Sequence, residues 1–529
     1  MLPETCQSQR APASHTMTHL TTAATDVGGA TFVSRLLGFF RDILLAKYFG
    51  TGATAEAFVV AFRIPNLFRE LVAEGAASAA FVPTLGAAQT RHDPARWEAL
   101  VRTLVTTVAL LLGVAVVGAI LAAPWLVRLL APGFVRDAAK WELTVTLTRV
   151  LLPYLWMMGL VAVTTSALHV LQHFRVPAWN PALMNVGMIV ACLVWVPRVP
   201  AVTGMVLVAV SILIAGALQI GLNHAALWRY QVRLRPQLDW HLPELRQIQR
   251  LLLPRLFGAA VYQLGVLLDT VMASLAWIVG SGGVAALYYA NRLIQFPLGL
   301  FGISMATVSL PTLAHQAARQ ELDLFRTTLL VGIRSVTAVM LPAMVGLCLL
   351  AQPIVEVLFQ RGAFTVASTQ MTSWVLQWSA VGLWAFAVTK LLVNAHYALH
   401  DTRTPVRWAA WGLGLNVVFN LLLMWPMGVG GLALGTSLAA CIECIGLWRH
   451  LERRVGPLDR TAWWTSLRRV GGASVLMGGW TWGAWQMVTP SGWGLGCVVA
   501  TSVLVYLGLA RWWRAEELAW FVQRLSKRA

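Results

Sequence analysis

The sequence predicts an all-α polytopic membrane protein of about fourteen transmembrane helices, built as two six-helix bundles related by a pseudo-two-fold axis plus two C-terminal helices. Three observations predict it. The composition is too apolar for a soluble domain, the hydrophobic segments have bilayer length, and the chain is internally duplicated.

Of the 529 residues, 58% are hydrophobic and only 12% are charged. A soluble domain of this size carries about 25% charged residues. Stretches such as VTTVALLLGVAVVGAILAA are long enough to cross a hydrocarbon layer of about 30 Å. Backbone groups in lipid must be satisfied within their own segment, so such spans are helices. Reading the apolar segments in order places span starts at roughly residues 28, 55, 103, 143, 177, 202, 251, 284, 327, 367, 406, 429, 470 and 492. The connecting loops are short and leave no separate catalytic domain.

The net charge of +18 raises the question of nucleic acid, and its distribution answers it. Most of the 40 Lys and Arg residues fall in the N-terminus, the even-numbered loops and the C-terminus. That bias is the positive-inside signature and predicts both termini in the cytoplasm. Basic loops beside anionic headgroups account for the charge, so the expected partners include membrane lipids and no nucleic acid. Cys441 and Cys444 form a CxxC inside an apolar span with no second pair, which reads as small residues packing in a helix.

The duplication rests on matched motifs. AFVVAFRIPNLF at Ala57 resembles ALYYANRLIQF at Ala286, and FVPTLGAAQTR resembles SLPTLAHQAAR. Pro83 and Pro311, Arg91 and Arg319, and Arg175 and Arg403 are each 228 residues apart. A unit of six spans keeps both copies in the same direction, so the repeat is parallel and places a cavity between two bundles, as transporters do. The expected divisions are a tail over 1–27 (with Met17 as an alternative start), bundles over 28–228 and 250–450, a basic amphipathic linker over 229–249, and two added helices with a basic tail over 451–529.

Charges inside the spans need a reason, because an Arg at mid-bilayer costs about 2.5–3.5 kcal/mol. They concentrate in the first two spans of each repeat: Arg35, Arg41 and Asp42; Glu56, Arg63, Arg69, Glu70 and Glu74; Arg255 and Asp269; Arg292. Arg35 and Asp42 share a helix stripe, which fits an internal ion pair; Arg41 lies off that stripe. Guanidinium groups facing a cavity point to an anion, and their planar fork suits phosphate. Pro65, Gly75 and Pro83, and Pro297, Gly299 and Gly302, put helix breakers beside these charges. A second constellation, Asp269 with Asn416 and Asn420 at i,i+4 spacing, offers oxygen ligands for Na⁺, a proton relay, or an interhelical hydrogen bond.

With these residues in view, SRLLGFFRDILLAKYFG, AEAFVVAFRIPNLFRELVAEGAASAAFVPTL, YYANRLIQFPLGLFG and HDTRTPV resemble the MurJ (MviN) family of lipid II flippases, in the multidrug/oligosaccharidyl-lipid/polysaccharide exporter superfamily. The resemblance runs from about Met17 to the C-terminus. It implies fourteen helices and export, across the bacterial cytoplasmic membrane, of an undecaprenyl-diphosphate-linked peptidoglycan precursor by alternating access. The cell-wall synthesis machinery becomes an expected partner. The family's functional arginines match Arg35, Arg41, Arg69 and Arg292, and its acids match Glu56 and Glu74. The substrate-facing set is completed here by Asp42, Arg63 and Arg255. The chain departs from many relatives at Asn291, Gln295 and Asn420. No organic cofactor is implied; Na⁺, H⁺ or the membrane potential is the expected energy source. By the same resemblance, the last two helices form a groove for the lipid tail.

Two other readings share part of this physics: a flippase for another polyprenyl-linked glycan, and a cation-coupled multidrug exporter. The exporter should line its cavity with carboxylates rather than arginines. A membrane-bound transferase would need Asp/His clusters on aqueous loops, whereas the eleven His are dispersed, so no enzyme is expected.

Overall fold

A computed structural model describes residues 13–71, 77–90, 93–488 and 491–514, with side chains described in these ranges except at 13–26, 68–71, 77–79, 94 and 253–262. Every regular element among the described residues is helical. The first half holds α1 (Ala13–Phe49), α2 (Ala53–Leu71), α3 (Ala77–Gln89), α4 (Pro94–Leu121), α5 (Ala123–Leu130), α6 (Ala138–Val170), α7 (Arg175–Val190) and α8 (Ala201–Arg229). The second half holds α9 (Pro243–Ala273), α10 (Ala276–Val279), α11 (Gly283–Pro297), α12 (Ile303–Ala318), α13 (Leu322–Leu349), α14 (Ala351–Phe359), α15 (Val366–Val381), α16 (Leu383–Ala398), α17 (Arg403–Met427) and α18 (Val429–Val455). Then come α19 (Arg460–Met487) and α20 (Gly492–Trp512).

Nine helical segments among the described residues are long and apolar enough to cross a membrane, or ten when α15 and α16, bent by 44°, are taken as one. Helix starts follow local chemistry. Asp93, Thr365, Asp459 and Ser491 each accept an amide from the first turn of the helix they cap. Prolines sit inside α2, α3, α6, α7, α11, α12, α13 and α17, where neighbouring helices tolerate the lost hydrogen bond. Between α11 and α12 the chain makes a wide π-turn over Leu298–Gly302, so the two helices run on with one inserted residue.

The chain divides into two compact units. The first comprises Met1–Leu44, Ile64–Ala123 and Leu147–Leu256. Its core gathers Leu85, Leu100 and Leu104 with Val163, Leu168 and Leu227. The segment after α8 is strapped onto α4: Arg102 donates to the Arg233 carbonyl, Glu98 accepts the Arg233 amide, and Thr106 accepts that of Gln237. Val232 and Leu234 turn into the core while Arg233 and Arg235 are outward.

The second unit comprises Leu45–Arg63, Pro124–Thr146 and Phe257–Ala529. Within it α17 and α18 form the most intimate helix pair, and α19 packs on both α13 and α20. Met477 and Ala473 of α19 meet Tyr506 and Ala510 of α20 beside Val345 of α13.

Candidate functional site

The arginines predicted to face a cavity fall into different environments. Arg35, near the middle of α1, is exposed and forms no ion pair or hydrogen bond among the described residues. Arg41, six residues on, is covered: it is 3% exposed and Asp42 1%. Its Nε and Nη2 donate to Asp42 Oδ1 at 3.0 and 2.7 Å, and its Nη1 donates to Asn185 Oδ1 of α7 at 2.9 Å. Asn185 in turn donates to the Ser34 carbonyl at 2.9 Å, so one amide side chain ties α7 to two turns of α1. Asp42 thus pairs with its chain neighbour Arg41 rather than with Arg35. A long guanidinium side chain can curl back to an adjacent carboxylate that the helical-stripe rule does not select.

Arg292 of α11 is half-buried and leans on Tyr288, one turn before it. Its Nη2 donates to the Tyr288 hydroxyl at 3.3 Å, and its guanidinium lies 4.9 Å from that ring's centre. Asn291, Gln295 and Phe296 beside it are exposed, so this face of α11 is open and carries both polar and apolar groups. Arg63 is half-buried on α2, just before Pro65, and its charge acts on Asp269. The side chains of Arg69, Glu70 and Arg255, and the whole of Glu74, lie outside the described residues.

Asp269, Asn416 and Asn420 do come together, with Thr436 of α18 as a fourth member. Asn420 Nδ2 donates to Asp269 Oδ1 at 2.8 Å and to Asn416 Oδ1 at 3.3 Å. Asn416 Nδ2 donates to the Thr436 hydroxyl at 2.8 Å, and that hydroxyl lies 3.5 Å from Asp269 Oδ2. The cluster is wired internally, yet the buried Asn420 Oδ1 has no partner. Its one carboxylate and neutral oxygens suit a monovalent cation better than a divalent one. No group of three or more His, Cys, Asp or Glu that could hold a metal occurs among the described residues.

Glu56 is not open either. It is buried in the first turn of α2, forms an ion pair with the buried Lys140 of α6, and accepts the Val284 amide at 3.0 Å from the start of α11. The Lys140 ammonium also sits 3.8 Å over the Phe134 ring. Around this pair the backbones touch. The Ala363 amide donates to the Lys47 carbonyl, and Tyr289 donates to the Gly50 carbonyl at 3.2 Å. Gly50 has φ +57°, and a Cβ there would lie 2.2 Å from the Ala363 oxygen. A Cβ on Gly133 would lie 1.9 Å from the Ser274 oxygen. These positions admit only glycine. The resulting seam joins the α1–α2 connection and the 132–140 segment to the second repeat, within one unit and among predicted outer loops.

A separate apolar cleft of about 500 Å³ runs between α13 and α19, lined by Met344, Val345, Leu349, Val475, Gly478 and Trp482.

A family model described as "Lipid II flippase MurJ" matches residues 45–504. The chain belongs to the lipid II flippase MurJ family. A probable lipid II flippase MurJ of Vibrio cholerae is 36% identical over 498 residues, covering 92% of this chain and 93% of that protein. The lipid II flippase MurJ of Burkholderia cenocepacia is 31% identical, covering 86% and 88%. A solved lipid II flippase MurJ in an inward closed conformation matches with TM-score 0.78 at 23% identity, over 92% of this chain and 97% of that one. An inward-facing multidrug resistance MATE transporter matches with TM-score 0.66 at 16% identity, over 81% and 96%. At these identities the likeness to solved structures speaks to the fold, which this MurJ family member shares with both solved transporters.

Sequence reasoning missed Lys140, Asn185 and Thr436. Lys140 opens α6 just after a loop, where a Lys reads as interfacial. Asn185 and Thr436 are neutral residues in apolar helices, and only their contacts reveal them.

Proposed function

We propose that this chain flips lipid II, the undecaprenyl-diphosphate-linked peptidoglycan precursor, from the inner to the outer leaflet of the bacterial cytoplasmic membrane. The observation that carries the reading, beyond family membership, is Arg35: a guanidinium in the first span expected from the sequence, exposed and without an ion pair among the described residues. Such a charge is stable in a membrane where water or an anion meets it. A diphosphate supplies two phosphates to guanidinium forks. Arg35 is a ligand of the diphosphate, and the family match gives Arg69 and Arg292 the same role. The Tyr288 ring keeps the Arg292 side chain extended toward the open face of Asn291 and Gln295. Arg41 acts one step back, fixing α1 against α7 through Asn185.

The cycle is alternating access over fourteen spans, with both termini in the cytoplasm. The Glu56–Lys140 pair and the glycine contacts at Gly50 and Gly133 support a closed outer side, and release outward requires them to part. The α13–α19 cleft suits a polyprenyl chain, being apolar along its length. An inside-negative potential favours outward movement of the anion by about 2.3 kcal/mol per charge per 100 mV. Asp269, Asn416, Asn420 and Thr436 form the candidate Na⁺ site; a bound cation would offset the Asp269 charge and occupy the bare Asn420 oxygen.

The test is transport of fluorescent lipid II in proteoliposomes by the wild type, Arg35→Ala, Arg292→Ala and Arg292→Lys. Both Ala variants should lose most activity and Arg292→Lys should keep a fraction of it. Full activity in both Ala variants would remove the diphosphate ligands from the mechanism.

A further inference from the structure

Helices that face lipid expose aliphatic residues, and α4 does so with Leu110, Leu111, Val114, Val117 and Leu121. Helix α6 behaves differently. Among residues 141–170 only Glu142, Thr146 and Arg149 are exposed. All three are polar, and their spacing of four and three residues puts them on one stripe. The rest of the helix is covered, including both flanks of Arg149 at Leu147, Thr148, Leu151 and Leu152. Arg149 lies 11 residues into this apolar span, and among the described residues it has no ion pair or hydrogen bond.

The duplication adds an independent observation. The 228-residue offset carries Glu142, Thr146 and Arg149 onto Gln370, Trp374 and Gln377 of α15, and each of these is also exposed. The corresponding stripe is therefore exposed in both repeats, but on α15 it carries Trp374 and continues to Val366 and Val381, so the wholly polar stripe belongs to α6 alone of the two.

We propose that Arg149 is a further anion-binding residue of the translocation path, taking a phosphate oxygen of the lipid-linked substrate. This rests on the flippase reading above and extends its ligand set to a helix outside the first two spans of either repeat. An exposed guanidinium on a stripe with no aliphatic member faces water. Within a membrane-spanning helix, that water belongs to a path through the protein.

Two measurements test it. In Arg149→Cys, a membrane-impermeant sulfonated thiol reagent should label the new cysteine above the background from Cys497 and the other native thiols. Lipid II added beforehand should slow that labelling. In proteoliposomes, Arg149→Ala should raise the lipid II concentration needed for half-maximal flipping about tenfold, the size of one charge-assisted contact. Arg149→Lys should recover much of that loss. No labelling above background, or an unchanged half-saturation in Arg149→Ala, would overturn the proposal. Arg35→Ala and Arg292→Ala, run in parallel, separate the two levels. If they flip normally, the diphosphate reading fails; if they are impaired while Arg149→Ala is not, only the role of Arg149 fails.

Discussion

The buried Glu56–Lys140 pair makes a quantitative prediction. Both side chains are almost fully covered, at 3% and 8% exposure, so neither charge has water to fall back on. Removing one partner of such a pair costs about 3–5 kcal/mol, because the other charge is left buried alone. The two single variants should not be equal. In Glu56→Gln the amide oxygen still accepts the Val284 amide, and Lys140 keeps its seat over Phe134, worth about 1–2 kcal/mol when desolvated. In Lys140→Met the carboxylate keeps the backbone amides of Val284 and Gly282 but no cation. Lys140→Met should therefore lie at the upper end of the range and Glu56→Gln near or below its lower end. Glu56→Gln combined with Lys140→Met leaves no charge and should recover most of the loss, so the double variant should cost less than Lys140→Met alone and far less than the sum of the two singles. The assay is thermal unfolding of the four purified proteins in detergent. A thiol-accessibility measurement at the 45–63 segment would show whether the loss appears as unfolding or as opening of the seam. Additive single effects below about 1 kcal/mol, as for a solvated pair, would refute the reasoning.

Three further outcomes follow from other contacts. Gly133→Ala forces a Cβ against the Ser274 carbonyl and should lower stability by about 1–3 kcal/mol, whereas Gly118→Ala, with nothing within 4 Å, should be neutral or stabilising; melting of both variants checks this. Asn420→Asp replaces a donor to Asp269 with a second carboxylate, so the variant should gain more melting temperature from NaCl than from choline chloride, with a larger difference than the wild type. Equal responses in the two proteins would count against a cation at this cluster. Burial first, and then the charges of Arg175 and Arg229, push His173 below its ordinary 6.5. The folded state thus binds fewer protons than the unfolded chain. His173 contributes stability that is complete above about pH 6.5 and is lost as pH falls from there toward its lowered folded value. His173→Gln should flatten the fall in melting temperature on acidification in that window.

Much of the architecture was legible before any coordinates because membrane physics leaves few options. Apolar runs of bilayer length must be helices, and every regular element among the described residues is one. The Asp269–Asn416–Asn420 grouping was also readable, since i,i+4 polar residues in one apolar helix share a face. The state of individual charges was not. Whether Arg41 is open depends on Asn185, 144 residues away, and on a side-chain bend toward its own neighbour. Glu56 reads as a site acid until Lys140, 84 residues on, is seen against it. Arg149 carries no motif. Its distinction lies in what the rest of α6 hides, which requires the packed helix.

The inserted residue at the Leu298–Gly302 turn governs orientation along an entire rod. Each residue of an α-helix advances the side-chain direction by about 100°. The Arg292 side of α11 and the core-facing side of α12 are therefore set in phase by that one extra position. Deleting a single residue there would keep every helix and nearly every apolar contact available, yet would swing Arg292 and Gln295 by more than a quarter-turn relative to Leu313 and Gln316. A protein so altered could insert and fold while presenting the wrong face to its cargo.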